Sequence, residues 1–305
     1  MSYDIFDINK SRSITAERSR AMNKHKIALL VDSGVDVPAE LAKELGIYVV
    51  PLKIIFSDGE YIDRVTITPD EVFKKLEKEI PTTSLPSPDE INARLEQIKA
   101  DGYEKVLGVT ISSGLSGTHN VMRLCMEDFE GLECFAVDTK NIAIASGMSA
   151  IQAALYANEG MEWEQLKATV IKGLDKVKIF FCVSTLEYLQ KGGRIGLVSS
   201  VVGNLLNLKP IISCNDDGIY YTVAKVRGRQ QSLEKAAELV KKFGDKSVKY
   251  NMAVLNTCAQ AEADALKAEL LEYFPNPQIF VEGDVSPALG IHVGPGAIGL
   301  AFQIL

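Results

Sequence analysis

Short apolar runs alternate along the chain with segments of helical period, and glycine, proline and aspartate punctuate them. Residues 27–31 form an unbroken apolar run, as in strands buried on both faces of a sheet, and Asp32-Ser33-Gly34-Val35-Asp36 ends it. A short helix is predicted from Pro38 to a stop at Gly46, with proline just inside its start and glycine just past its end. Residues 47–56 read as a second strand, and Asp58-Gly59 before Glu60-Tyr61-Ile62 as a hairpin turn. Thr68-Pro69-Asp70-Glu71 and Ser87-Pro88-Asp89-Glu90 have capping-box spacing, so each should open a helix. Residues 105–110 and 134–137 are strand-like, whereas 119–127 and 142–158 are helix-like. This alternation predicts an α/β fold whose N-terminal sheet is mostly parallel and flanked by helices.

The rhythm changes near Gly160. A helix over 163–174, a strand over 178–183 and a short helix ending at Gly192-Gly193 come first. A strand over 218–226, a helix over 232–243, a strand over 248–255 and a helix over 261–273 follow, then strands over 278–282 and 297–305. Longer gaps and the turn Asp216-Asp217-Gly218 predict a C-terminal α+β domain with a mixed or antiparallel sheet. The expected organisation is a flexible extension over 1–25, an α/β domain over 26–160 and an α+β domain over 161–305.

Bulk numbers narrow the function. At 305 residues and 47% hydrophobic, the chain has room for two domains. A net charge of −7 argues against wholesale nucleic-acid binding. No stretch approaches the roughly 18 apolar residues of a membrane span. The first 25 residues are polar and lack the apolar centre of a signal peptide, so a cytoplasmic location is expected. Five dispersed cysteines without C-x-x-C read as reduced core thiols. Three histidines without ligand spacing leave no metal site to expect.

The chemistry concentrates in loops. Ile111-Ser112-Ser113-Gly114-Leu115-Ser116-Gly117-Thr118 links a strand-like to a helix-like segment. Its hydroxyls and N–H groups, beside the positive end of a helix, suit a carboxylate or phosphate, and equally an ordinary loop. Pro81-Thr82-Thr83-Ser84-Leu85-Pro86-Ser87-Pro88 is either a capped loop or a stiff turn that offers Thr83 and Ser84 to a cleft. Gly294-Pro295-Gly296-Ala297-Ile298-Gly299 has dinucleotide-loop spacing, but a strand rather than a helix should follow it, which points to a close backbone approach at a domain seam. Gly114-Leu115-Ser116-Gly117-Thr118 approaches a nucleophile elbow. With Asp32 and His292 it could supply a Ser-His-Asp set, so a serine esterase or thioesterase using Ser116 and His292 is the second reading. Residues 187–229 carry six basic side chains against three acidic ones, a solvated face or a basic patch.

In order along the chain, Val31-Asp32-Ser33-Gly34-Val35-Asp36, Thr83-Ser84-Leu85-Pro86-Ser87, the 111–118 segment, Lys191-Gly192-Gly193-Arg194, Leu208-Lys209-Pro210-Ile211, Val226-Arg227-Gly228-Arg229 and His292-Val293-Gly294-Pro295-Gly296 together resemble the DegV family. The resemblance implies a two-domain α/β protein that buries one long-chain fatty acid in a tunnel and is not itself an enzyme. It further implies the binding subunit of a fatty acid kinase, whose ATP-dependent partner would convert the carboxylate to an acyl phosphate for phospholipid synthesis. By that resemblance Thr83 and Ser116 hold the carboxylate and His292 lies beside the head group, while the Ser84 hydroxyl and the N–H groups of Gly117 and Thr118 are further donors suited to it. Arg194 and Arg227 would contact the partner or the phosphate. Leu85 stands where the family commonly has glutamine. No cofactor is expected beyond the fatty acid as ligand, and residues 197–208 are a candidate for tunnel wall or core helix.

Overall fold

A computed structural model describes residues 5–7, 22–201 and 208–305. Four parallel strands make the N-terminal sheet, in the order β3 (Ile47–Val50), β2 (Ile27–Asp32), β7 (Lys105–Thr110) and β8 (Glu133–Asp138). Every residue of β2 is buried, which is why its sequence shows no polar alternation. Helices α3 (Pro88–Ala100) and α4 (Thr118–Asp128) cover one face with Ile91, Leu95, Ile98, Met122 and Met126. The capping boxes at Thr68 and Ser87 both form, opening α2 (Pro69–Leu76) and α3.

The other face meets α5 (Ala143–Asn158), a helix of mostly alanine, serine and isoleucine. α5 also packs on β9 (Val177–Cys182) and β14 (Ile298–Ile304) of the second sheet, so it lies between both. That second sheet has seven strands. Its order is β1 (Ile5–Asp7), β13 (Ile279–Asp284), β12 (Tyr250–Asn256), β14, β9, β10 (Leu208–Cys214) and β11 (Tyr220–Arg227). It is parallel from β1 to β12 and antiparallel from there on, the mixed sheet that the sequence implied. Helices α8 (Arg229–Phe243) and α9 (Gln260–Tyr273) cover its outer face over Phe274, Phe280 and Phe302.

Several expectations need correction. Residues 47–56 are two strands: Pro51 ends β3, and β4 (Lys53–Phe56) pairs instead in a small antiparallel sheet with β5 (Gly59–Ile62) and β6 (Thr82–Ser84). The Thr83 segment is thus an edge strand and not a turn, with Thr83 opposite Ile54. β10 has no strand signature in the sequence because Pro210 interrupts its pattern, and α10 (Pro287–Val293) has no helical one because it is only seven residues long. Within the expected flexible extension, Ile5–Asp7 pairs with β13. Cys182 and Cys214 are buried thiols, whereas Cys258 is exposed. No described helix is long and apolar enough to cross a membrane. Of the tunnel candidate 197–208, residues 202–207 lie outside the described residues. The remaining helices are α1 (Ala39–Leu45), α6 (Trp163–Gly173) and α7 (Glu187–Lys191).

Candidate ligand-binding site

A cavity of about 180 Å³ lies where β6, the 111–117 turn, α10 and the segment after α7 converge. Thr83, Ser84, Ser116, Gly117, His292 and Arg194 line it, with Leu52, Ile111, Ile142, Tyr220 and Leu289 among its apolar walls. Six of the eight sequence candidates therefore share one space. Thr118 and Arg227 do not line it.

The serine-rich turn divides its labour. Ser112 is buried and donates its hydroxyl to the Gly218 carbonyl at 2.8 Å, docking the β10–β11 turn on the N-terminal sheet. Gly218 has φ +74°, and a Cβ there would stand 1.8 Å from Ser112 Oγ, so only glycine fits this approach. Ser113 takes its support from Asp138 and Lys140. Only Leu115, Ser116 and Gly117 of this turn reach the cavity beside Ile111. Thr118, buried at the start of α4, braces Ser116: their hydroxyls lie 2.8 Å apart, and the Thr118 N–H donates to Ser116 Oγ at 3.3 Å. Its N–H is therefore spoken for, and the adjacent Gly117 is the residue of this corner that lines the cavity.

On the opposite wall, His292 Nε2 lies 3.1 Å from Thr83 Oγ1. Burial, and secondarily the Arg194 charge, lower the His292 pKa to about 4, so the ring is neutral at physiological pH. Nδ1 is buried without a partner, and a Cβ on Gly192 would come within 2.3 Å of it. A buried N–H with no acceptor costs more than a bare lone pair, so the proton belongs on Nε2, aimed at Thr83. Arg194 is held by the Gly192 carbonyl at 2.8 Å and the Leu115 carbonyl at 3.4 Å, which sets a cation in the cavity wall.

A group of acids not singled out as site residues fixes α10. Asp63 accepts from the Ala288 N–H at 3.0 Å and from Ser33 Oγ at 2.6 Å, while Asp36 accepts from the Ser286 N–H at 3.1 Å. Arg64 pairs with Asp36 at 3.3 Å and donates to the Asp284 carbonyl at 2.7 Å. Burial raises Asp36 to about 6 against the opposing pull of Arg64. These contacts hold the first turn of α10, and hence His292, against the N-terminal lobe. Of these residues, Ser33 and Asp36 belong to the Asp-Ser-Gly-Val-Asp run visible in the sequence.

The Ser-His-Asp arrangement is not formed. The Asp32 carboxylate accepts from the backbone N–H groups of Ile111 and Gly34, both at 2.9 Å, and burial raises its pKa to about 7. Ser116 is engaged with Thr118 and His292 with Thr83, so no proton relay links the three. Asp32 instead ties the end of β2 to the serine-rich turn. Gly294 sits after α10 and before β14, at φ +70°, where a Cβ would fall 2.1 Å from the Tyr188 ring. This close approach, and not a nucleotide, accounts for the C-terminal glycines. Arg227 is exposed at the end of β11. Among the described residues no group of His, Cys, Asp and Glu could hold a metal ion.

A family model described as an uncharacterised protein of the DegV family matches residues 26–304. The chain belongs to the DegV family. A DegV domain-containing protein of Clostridium acetobutylicum is 40% identical over 90% of this chain and 98% of its own length. Among solved structures, a fatty-acid-binding DegV family protein of Thermus thermophilus superposes with TM-score 0.85 at 30% identity, covering 92% of this chain and 99% of its own. DegV of Bacillus subtilis, described as a fatty acid binding protein, gives TM-score 0.84 at 26% identity over 93% and 100%.

Proposed function

We propose that this protein binds one long-chain fatty acid with its carboxylate in the cavity between Thr83 and Ser116. The observation that carries the proposal is two alcohols on separate elements lining one cavity, each backed by a donor. His292 Nε2–H fills a lone pair of Thr83, and the Thr118 N–H fills one of Ser116. Each alcohol then has its own proton free for an acceptor in the cavity. Ser84, Gly117 and the Arg194 cation complete a setting for one carboxylate.

The energetics agree with a lipid. Burying about 14 methylenes of a C16 chain at about 0.8 kcal/mol each gives about 11 kcal/mol gross. Ordering the chain and losing free tumbling take back several kcal/mol. Binding survives only if the head group is not stranded, because a buried, unpartnered carboxylate costs more than the tail gains. Two relayed alcohols and an arginine meet that condition. The relatives known as fatty-acid-binding proteins support the same reading.

The finer part of the proposal is that the bound acid is presented to a separate ATP-dependent kinase subunit, which makes the acyl phosphate, while this chain acts as carrier and not as catalyst. Arg194 sits beside the head group to meet the added phosphate charge, and the exposed Arg227 is a docking contact. Mass spectrometry of organic extracts from purified protein tests the carrier role: about one fatty acid per chain is expected. Absence of any fatty acid, with no uptake on addition, would refute it. Acyl phosphate formation without a second subunit would refute the division of roles.

A further inference from the structure

A second cavity lies on the far side of α5, between α5, α6 and the end of β14, at about 270 Å³. That is near the lower bound of about 300 Å³ for small-molecule sites. Ala153, Tyr156, Val170 and Ile304 supply apolar lining, and Lys172 and Lys176 stand exposed at its margin. Ser149, Gln152 and Gln303 also line it, and each is more than nine-tenths buried.

The orientation of the two carboxamides follows from one backbone contact. The Ile279 N–H donates to Asn251 Oδ1 at 3.1 Å, which leaves Asn251 with only its NH2 group to offer. That NH2 donates to Gln303 Oε1 at 2.8 Å and to Gln152 Oε1 at 3.2 Å. Both glutamines must therefore turn their oxygens toward Asn251 and their NH2 groups away from it. Among the described residues neither NH2 group, nor the Ser149 hydroxyl, has a hydrogen-bond partner. Three donor groups without a protein acceptor thus border one largely apolar cavity, open to a ligand that supplies the acceptors.

We propose that this cavity is a second ligand site, separate from the fatty-acid head-group cavity, which takes a small organic anion with a short apolar body. Its acceptor oxygens would meet Ser149, Gln152 and Gln303, its charge would lie toward Lys172 and Lys176, and its apolar body would lie on Val170 and Ile304. Nothing in the site requires a long chain.

The test is a titration of 15N-labelled protein, already loaded with palmitate, with octanoate as the probe. Saturable shifts of the Gln152 and Gln303 side-chain NH2 resonances are expected. Gln152→Glu keeps the oxygen facing Asn251 but replaces the donor with a second oxygen, and should weaken octanoate at least tenfold while palmitate stays bound. Lys172→Gln with Lys176→Gln, at exposed positions, should weaken it severalfold, and octan-1-ol should bind at least tenfold more weakly than octanoate. Unmoved NH2 resonances, or equal octanoate affinity in Gln152→Glu, would overturn the site; equal binding of octan-1-ol would overturn the anionic class. If Gln152→Glu does not fold, the lysine pair decides, and unchanged affinity there overturns the proposal. Palmitate content, measured by mass spectrometry on the same samples, reports the first cavity separately.

Discussion

The two cavities lie along one helix and are built by opposite means. Ile142, just ahead of α5, lines the first, and Gln152, about 15 Å along the axis at 1.5 Å per residue, lines the second. The first draws its polar groups from an edge strand, a turn and a short helix that are remote in sequence, and each is braced by a neighbour or by buried acids. The second draws its polar groups from the interior of regular elements, where one asparagine orients two glutamines. A site assembled on loops has conspicuous serines and glycines, whereas one set into a helix and a strand looks like ordinary core until the donors are counted.

The largest effect should come from removing both alcohols of the first cavity. Thr83→Val with Ser116→Ala removes two hydrogen bonds to a charged group, at about 1.5–3 kcal/mol each, so palmitate affinity by calorimetry should fall at least about a hundredfold. The glutamine network should be untouched, and an equal loss of octanoate binding at the second cavity would show that the two are not independent.

Next is the seam on which the first cavity depends. Gly218→Ala forces a Cβ against Ser112 Oγ at positive φ and should cost about 2–4 kcal/mol in urea unfolding. A change below about 0.5 kcal/mol would mean that the β10–β11 turn is free to shift.

The pH profile is similar in size. Because His292 is lowered from 6.5 to about 4, its contribution to stability is complete above about pH 6.5 and is lost as pH falls toward 4, a total of about 3 kcal/mol. Relative to wild type, His292→Gln should gain up to about 3 kcal/mol of stability as pH falls from 6.5 toward 4. Asp32 and Asp36 act in the other direction: raised to about 7 and about 6, they favour the folded state at low pH and lose that contribution as pH rises from about 4 toward those values. A stability difference between wild type and His292→Gln that stayed constant from pH 6.5 to 4 would contradict a neutral, buried His292.

The smallest effects belong to the arginines. Arg194→Gln should weaken palmitate about threefold to tenfold, as for one half-buried charge, and raise the His292 pKa. Arg227→Ala, exposed and outside the cavity, should leave palmitate affinity within about twofold while reducing capture of a kinase subunit. A large loss of palmitate binding there would mean the head group lies elsewhere.

Much of this was legible in the sequence, for identifiable reasons. The buried β2 and the capping boxes at Thr68 and Ser87 are local signals, and local signals survive folding. Thr83, Ser116 and His292 could be named one by one, but the hydrogen bond from His292 to Thr83 spans 209 positions, and no spacing rule reaches that far. Asp63 and Arg64 gave no signal because what they hold, the start of α10, was itself hidden in a seven-residue segment. Asp32, a plausible catalytic acid on paper, turns out to be a fastener because two backbone N–H groups claim its carboxylate. Gln152 and Gln303 gave none either, since their meaning depends on a cross-strand asparagine.

The most direct measurement is the carboxyl NMR signal of [1-13C]palmitate added to delipidated protein. One bound resonance, displaced from free palmitate and lost in the Thr83→Val, Ser116→Ala double variant, is the predicted result. No bound resonance in the wild type, or an unchanged one in the double variant, would contradict a carboxylate held by these two alcohols.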